Sequence, residues 1–148
     1  LMNRLTKLLP IALLTLSANT TFAELPTSVD AVDPRIDLQF TAAERIELLA
    51  EMRAMLGSIQ GILLGIANGD RTAIADAARI SGNQMARATP AAVRAKLPQA
   101  FKDLGGPTHL AFEEVAIRAE TDEMDALARL TGELMNQCMA CHAAFRVR

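Results

Sequence analysis

The run TAAERIELLAEMRAMLGSIQGILLGIANGD, from Thr41 to Asp70, constrains the fold most. Thr41 and Glu44 stand at capping-box spacing, with the Thr41 hydroxyl positioned for the first-turn amides and Glu44 reaching back to the Thr41 amide. Asn68-Gly69-Asp70 supplies the stop. From Ala54 to Asn68 no residue is charged, and a helix without a polar face is usually buried on most sides. The spacing therefore predicts a long helix A to about Ala67, which needs other helices around it.

The rest of the chain provides them. Tyr and Trp are absent and Phe occurs five times, while Ala, Leu, Met and Arg are plentiful, a balance that favours helices over strands. Helix B is predicted from Arg71 to Ala88, ending before Thr89-Pro90. Pro90, Pro98, Gly105, Gly106 and Pro107 punctuate an irregular connection, in which Thr89 can cap a short helix starting at Pro90. Helix C is expected from Thr108 to Glu120. Asp122 can cap helix D, which continues to about Phe145. Short links between A and B and between C and D, with a long link between B and C, predict an all-α, up-down-up-down four-helix bundle over residues 41–148. No period-2 strand, internal repeat or low-complexity tract is evident in this part.

Residues 1–23 have a separate character. Arg4 and Lys7 precede the short apolar run Leu8–Leu16, and Thr21-Phe22-Ala23 offers a small-residue cleavage site. This order predicts a secretory signal peptide cut after Ala23. A stable membrane anchor needs about 20 apolar residues, and Pro10, Thr15 and Ser17 interrupt a shorter run. Residues 24–40, with Pro26, Pro34 and several Asp, read as an N-terminal arm that is mostly loop. Loss of the leader takes the formal charge from −2 to about −4, and the absence of a basic run excludes a nucleic-acid footprint.

The chemistry gathers near the C-terminus. Cys138-Met-Ala-Cys141-His142 holds both cysteines and one of the two histidines, and it reads C-x-x-C-H, the attachment motif of c-type haem. On a helix, positions i, i+3 and i+4 share a face. Both thiols can then form thioethers to one porphyrin while His142 takes the iron as proximal ligand. Two other readings compete. A structural zinc site needs about four ligands, with only His109 and scattered carboxylates to complete it. A redox dithiol usually sits beside a strand–helix unit, which is missing. The predicted cofactor is one covalent haem c in an exported, periplasmic protein.

With a signal peptide, four helices and Cys138-Met-Ala-Cys141-His142-Ala-Ala-Phe145-Arg146 in the last of them, the chain resembles the class II c-type cytochromes, cytochrome c′ and its low-spin relatives. The family's aromatic is usually Tyr, and here it is Phe145. The resemblance implies a sixth-site residue on the inner face of helix A. A Met there gives a six-coordinate electron carrier; a Leu or Phe leaves an open iron that binds nitric oxide or carbon monoxide.

At about 100° per residue, Leu48, Met52, Met55, Leu56, Ile59, Leu63 and Ile66 form one stripe, with Met52 at its centre and Met55 about 60° away. Met52 is the preferred axial ligand, with Met55 second; both could instead be core fillers. His109 competes, but at the predicted start of helix C it would have to reach the distal face from a helix end. A solvent-facing or propionate-contacting role is favoured for it. The resemblance brings Phe145 and Arg146 into the haem environment. Arg146, one turn past His142, equally suits an exposed charge favoured by the helix dipole.

Gly57, Gly61 and Gly65 recur every four residues on helix A, roughly opposite Met52. They suit close helix approach, either within the bundle or in a homodimer through helix A; the family often dimerises through its first two helices. The expected function is electron transfer with His/Met-ligated haem and unidentified redox partner proteins. Gas binding at a five-coordinate iron is the alternative. No catalytic constellation is visible, so no enzyme is expected.

Overall fold

The computed structural model describes residues 33–148; the expected leader and the arm up to residue 32 lie outside the described residues. The described chain is mostly helical, in the order β1 (Ile36–Asp37), α1 (Ala42–Asn68), α2 (Arg71–Ile80), α3 (Asn83–Ala88), α4 (Ala91–Lys96), α5 (Gln99–Arg118), α6 (Met124–Ala144) and β2 (Phe145–Arg146). It is an all-α structure with one short strand pair.

Helix α1 starts as its sequence predicts. The Thr41 hydroxyl accepts from the Glu44 amide at 3.3 Å and the Glu44 carboxylate accepts from the Thr41 amide at 2.9 Å, a complete capping box. It ends where Gly69 turns left-handed (φ 66°), so that the Asp70 amide reaches the Gly65 carbonyl at 2.9 Å. Asp70 then caps α2, accepting from the Ala73 amide at 2.9 Å. By length and composition α1 could cross a membrane; here one face is packed against α2 and α6.

The four longer helices make a closed ring of contacts, α1 on α2, α2 on α5, α5 on α6 and α6 on α1. The core lies between them. Ile62 of α1, Ile74 of α2, Phe112 and Val115 of α5, and Leu127 and Leu134 of α6 are all fully enclosed. Each removes about 1.5–3 kcal/mol worth of side chain from water.

Several boundaries differ from the sequence expectation. Predicted helix B breaks at Ser81-Gly82 into α2 and α3. A Cβ on Gly82 would stand 2.5 Å from the Glu113 carboxylate of α5, which accepts from the Asn83 amide at 3.1 Å. The Glu113 side chain of α5 thus lies directly against the break. Thr89 does not cap α4; Pro90 stands at that position, and the Thr89 carbonyl accepts from Arg94 at 2.9 Å.

The Gly105-Gly106-Pro107 segment is not a connection but the middle of α5, which begins at Gln99. Proline withdraws one amide from that turn, and the Thr108 hydroxyl donates to the Leu104 carbonyl there at 2.8 Å. Asp122 does not cap α6. Its carboxylate is held by Arg118 at 2.6 Å, and Glu123 stands at the cap position.

The described end of the arm, residues 33–40, is not all loop. β1 runs parallel to β2, with Ile36 opposite Phe145 and Asp37 opposite Arg146, and Leu38 is buried behind them. Gln39 (φ 51°) then turns the chain into Thr41.

The inward face of α1 is rotated from the predicted stripe. Met55, Ser58, Ile59, Ile62 and Gly65 are buried, whereas Leu56 and Leu63 are 69% and 47% exposed. The reason lies in the glycines. A Cβ on Gly61 would stand 2.7 Å from the Ala77 Cβ, and one on Gly65 would stand 2.6 Å from Ile74. Two of the three glycines therefore serve the close approach of α2 within the chain, and that contact fixes which way α1 faces.

Candidate functional site

Cys138, Cys141 and His142 occupy the last two turns of α6, which continues unbroken through them to Ala144. Helical spacing puts all three on one face, and all three line one cavity. The thiols are free and half-buried. Burial pushes both up from the ordinary thiol range, Cys141 further under the influence of Cys138. A reactive redox dithiol shows the opposite, a lowered thiol beside positive charge or a helix N-terminus.

The cavity holds about 550 Å³, within the range of about 300–1,000 Å³ typical of small-molecule and cofactor sites. Its wall is overwhelmingly apolar. α1 contributes Leu48, Met52, Met55 and Ile59, α4 contributes Val93, and α5 contributes Phe101, Gly105, Gly106 and His109, facing the α6 residues. Glu44 of α1 receives Lys96 of α4 at 2.6 Å, which holds α4 against α1 at one end.

Met52 and Met55, the residues favoured as axial ligands, both line the cavity. Met55 is buried and belongs to the core; Met52 is half-buried and packs against it.

His109 is not where the sequence put it. Because α5 begins at Gln99, His109 lies in the middle of a 20-residue helix and lines the cavity. Its Nδ1 is 2.8 Å from the Ser81 carbonyl in the break between α2 and α3. A carbonyl can only accept, so Nδ1 donates in this bond and Nε2 takes no part in it. The Glu51 carboxyl nearby is pushed up, chiefly by burial, with His109 acting in the opposite direction.

Phe145 and Arg146 do not line the cavity. Phe145 is buried and meets the cavity residue Phe101 edge-on, ring centres 5.3 Å apart. Arg146 lies beside Asp37 at 3.9 Å. Arg35 of the arm donates to the His142 carbonyl at 3.4 Å, so the arm braces the end of α6.

The residues present are compatible with a mainly apolar group held through the thiols. Two thiols and one imidazole share a helix face, and the walls are apolar. The Gly105-Gly106 pair is bare backbone at the cavity wall; a Cβ at Gly106 would meet no atom within 4 Å. Among the described residues no group of three or more His, Cys, Asp or Glu side chains is arranged to hold a bare metal ion. In the sequence Gly105-Gly106-Pro107 has the look of punctuation, and Glu51 and Phe101 carry no motif that marks them. Phe101 and Gly105 stand four apart, which is the helical signal that was available.

Comparison with protein-family models, with characterised proteins and with solved structures finds no match to the chain.

Proposed function

We propose that the chain is an exported, periplasmic c-type cytochrome of the class II kind, a four-helix bundle that carries electrons through one covalent haem c. The observation that carries this reading is the convergence of Cys138, Cys141 and His142 on a cavity with apolar walls from α1, α4 and α5. The ring of α1, α2, α5 and α6 is read as the up-down-up-down bundle of that class, and the leader-like residues 1–23 agree with export.

Each thiol would add across one vinyl double bond, forming a C–S bond while its proton goes to the neighbouring vinyl carbon. No oxidant or reductant is consumed. His142 would hold the iron from the same helix face. When bound, the haem supplies a one-electron ferric/ferrous couple. The apolar side chains of α1 and α5 would exclude water, and the exposed Met139 of the attachment motif would mark the side from which redox partners approach. The glycine face of α1 expected to serve a homodimer is occupied by α2 at Gly61 and Gly65; a dimer would instead use the outward side, where Leu56, Leu63 and Leu64 are exposed, and a monomeric mass in light scattering at micromolar concentration would rule it out.

A pyridine haemochrome assay on full-length chain co-expressed with haem attachment machinery tests the main reading. A c-type spectrum that survives acid–acetone extraction is expected. A chain that folds and is exported without covalent haem overturns the proposal. A high-spin, five-coordinate spectrum would instead favour binding of nitric oxide or carbon monoxide.

A further inference from the structure

Two features of α5 bear on the cavity it lines. The first is the Gly105-Gly106 pair. Glycine weakens a helix interior, and a structural reason for one is usually a neighbour that a Cβ would strike. Gly61 and Gly65 have such neighbours. Gly106 has none within 4 Å, and a Cβ on Gly105 would make only ordinary contact with the Phe101 ring at 3.6 Å. Both glycines line the cavity. They strip side chains from its wall in the turn preceding His109.

The second feature is the way His109 is held. The break in predicted helix B puts Ser81 at the end of α2, with its carbonyl open to a partner from another element, and His109 Nδ1 takes it at 2.8 Å. One turn along α5, Glu113 accepts from the Asn83 amide at 3.1 Å. These two α5 side chains span the break. Ser81 is itself fully buried and anchored through its hydroxyl to Ser58 at 2.8 Å. The ring is therefore fixed through Nδ1–H to a backbone carbonyl, which leaves Nε2 as the nitrogen available to a ligand at the cavity. This is the arrangement that orients metal-ligating histidines and sets their tautomer. The sulfurs of Met52 and Met55 have no comparable support among the hydrogen bonds of the described residues.

We infer that His109, together with His142, would hold the haem iron, with Ser81 as its positioning residue and Gly105-Gly106 leaving the wall beside it bare. This rests on the covalent-haem reading and replaces the Met52 expectation. Imidazole on both sides lowers the potential relative to Met/His ligation, which makes the protein a low-potential carrier.

The test uses the full-length holoprotein. Covalent haem is established first by pyridine haemochrome; its absence overturns this inference and the functional reading together. With haem present, the expected ferric spectrum is low-spin without the weak red band of methionine–iron ligation. Near-infrared magnetic circular dichroism should report two imidazoles, and this measurement needs no variant. His109→Ala should turn high-spin and return to low-spin on adding imidazole, while Met52→Ala and Met55→Ala stay low-spin. A methionine–iron band abolished by Met52→Ala or Met55→Ala, or a high-spin wild type, overturns the ligand assignment and leaves the covalent-haem reading standing.

Discussion

The hydroxyls of Ser58 on α1 and Ser81 at the end of α2 meet at 2.8 Å in the closed interior. Each satisfies the other where no water reaches, and the pair ties the break in predicted helix B to the first helix. Removing one partner leaves a buried hydroxyl unsatisfied, which costs about 1–3 kcal/mol. Ser58→Ala should lose that much in urea unfolding. The double variant Ser58→Ala/Ser81→Ala should lose less than the sum of the two single losses, because both orphaned groups are then gone. Simple additivity would show that the hydroxyls do not depend on each other.

Gly57 and Gly61 sit one turn apart on α1 but should answer alanine oppositely. Nothing lies within 4 Å of a Cβ on Gly57, whereas a Cβ on Gly61 would stand 2.7 Å from the Ala77 Cβ. Gly57→Ala should stabilise by about 0.5–1 kcal/mol through the unfolded chain and helix propensity. Gly61→Ala gains the same term but must push α2 away, at a cost of about 1–3 kcal/mol. Thermal melts of the two variants should therefore move in opposite directions from wild type.

Glu44 should make stability fall in acid. Lys96, the Thr41 amide and the Thr41 hydroxyl hold its carboxyl down from 4.5 to about 2. A carboxyl depressed on folding contributes fully above the unfolded value near 4.5, and that contribution disappears as the pH drops to about 2. Glu44→Gln should melt below wild type at neutral pH, and the gap should close between pH 4.5 and 2. High salt should narrow it as well, because the Lys96 ammonium is exposed.

Each cysteine should carry one thioether. Cys138→Ala and Cys141→Ala should each leave a single bond to the porphyrin, shifting the pyridine haemochrome α-band to longer wavelength than in wild type. The double variant should release its haem to acid–acetone. An unshifted band in either single variant would mean that the altered sulfur is not bonded, contrary to the helix-face argument.

The parts legible in the sequence are those decided by local chemistry. Thr41 and Glu44 announce their capping box because the bonds lie within one turn, and Gly69 announces the end of α1 because few other residues turn left-handed so cheaply. The spacing of Cys138, Cys141 and His142 puts them on one face of any helix, whatever packs against it. The split of predicted helix B was not legible. Nothing in Ser81-Gly82 forbids a helix; it is Glu113, 30 positions beyond Asn83, that lies against the break and supplies a hydrogen bond there. Gly105-Gly106-Pro107 misled for the opposite reason, since locally it disfavours a helix and only its surroundings keep α5 running through it.

The sequence by itself therefore determined that the chain is helical, where its longest helix starts and stops, and that two thiols and an imidazole share one face near the end. The face of α1 that turns inward was left to the tertiary structure, because an apolar helix from Ala54 to Asn68 has no hydrophobic contrast to orient it, and the contacts of Gly61 and Gly65 with α2 decide. The surroundings of His109 were left to it too. Its place at the cavity depends on a helix start ten residues upstream and on a carbonyl at Ser81, 28 residues away, brought within 2.8 Å only by folding.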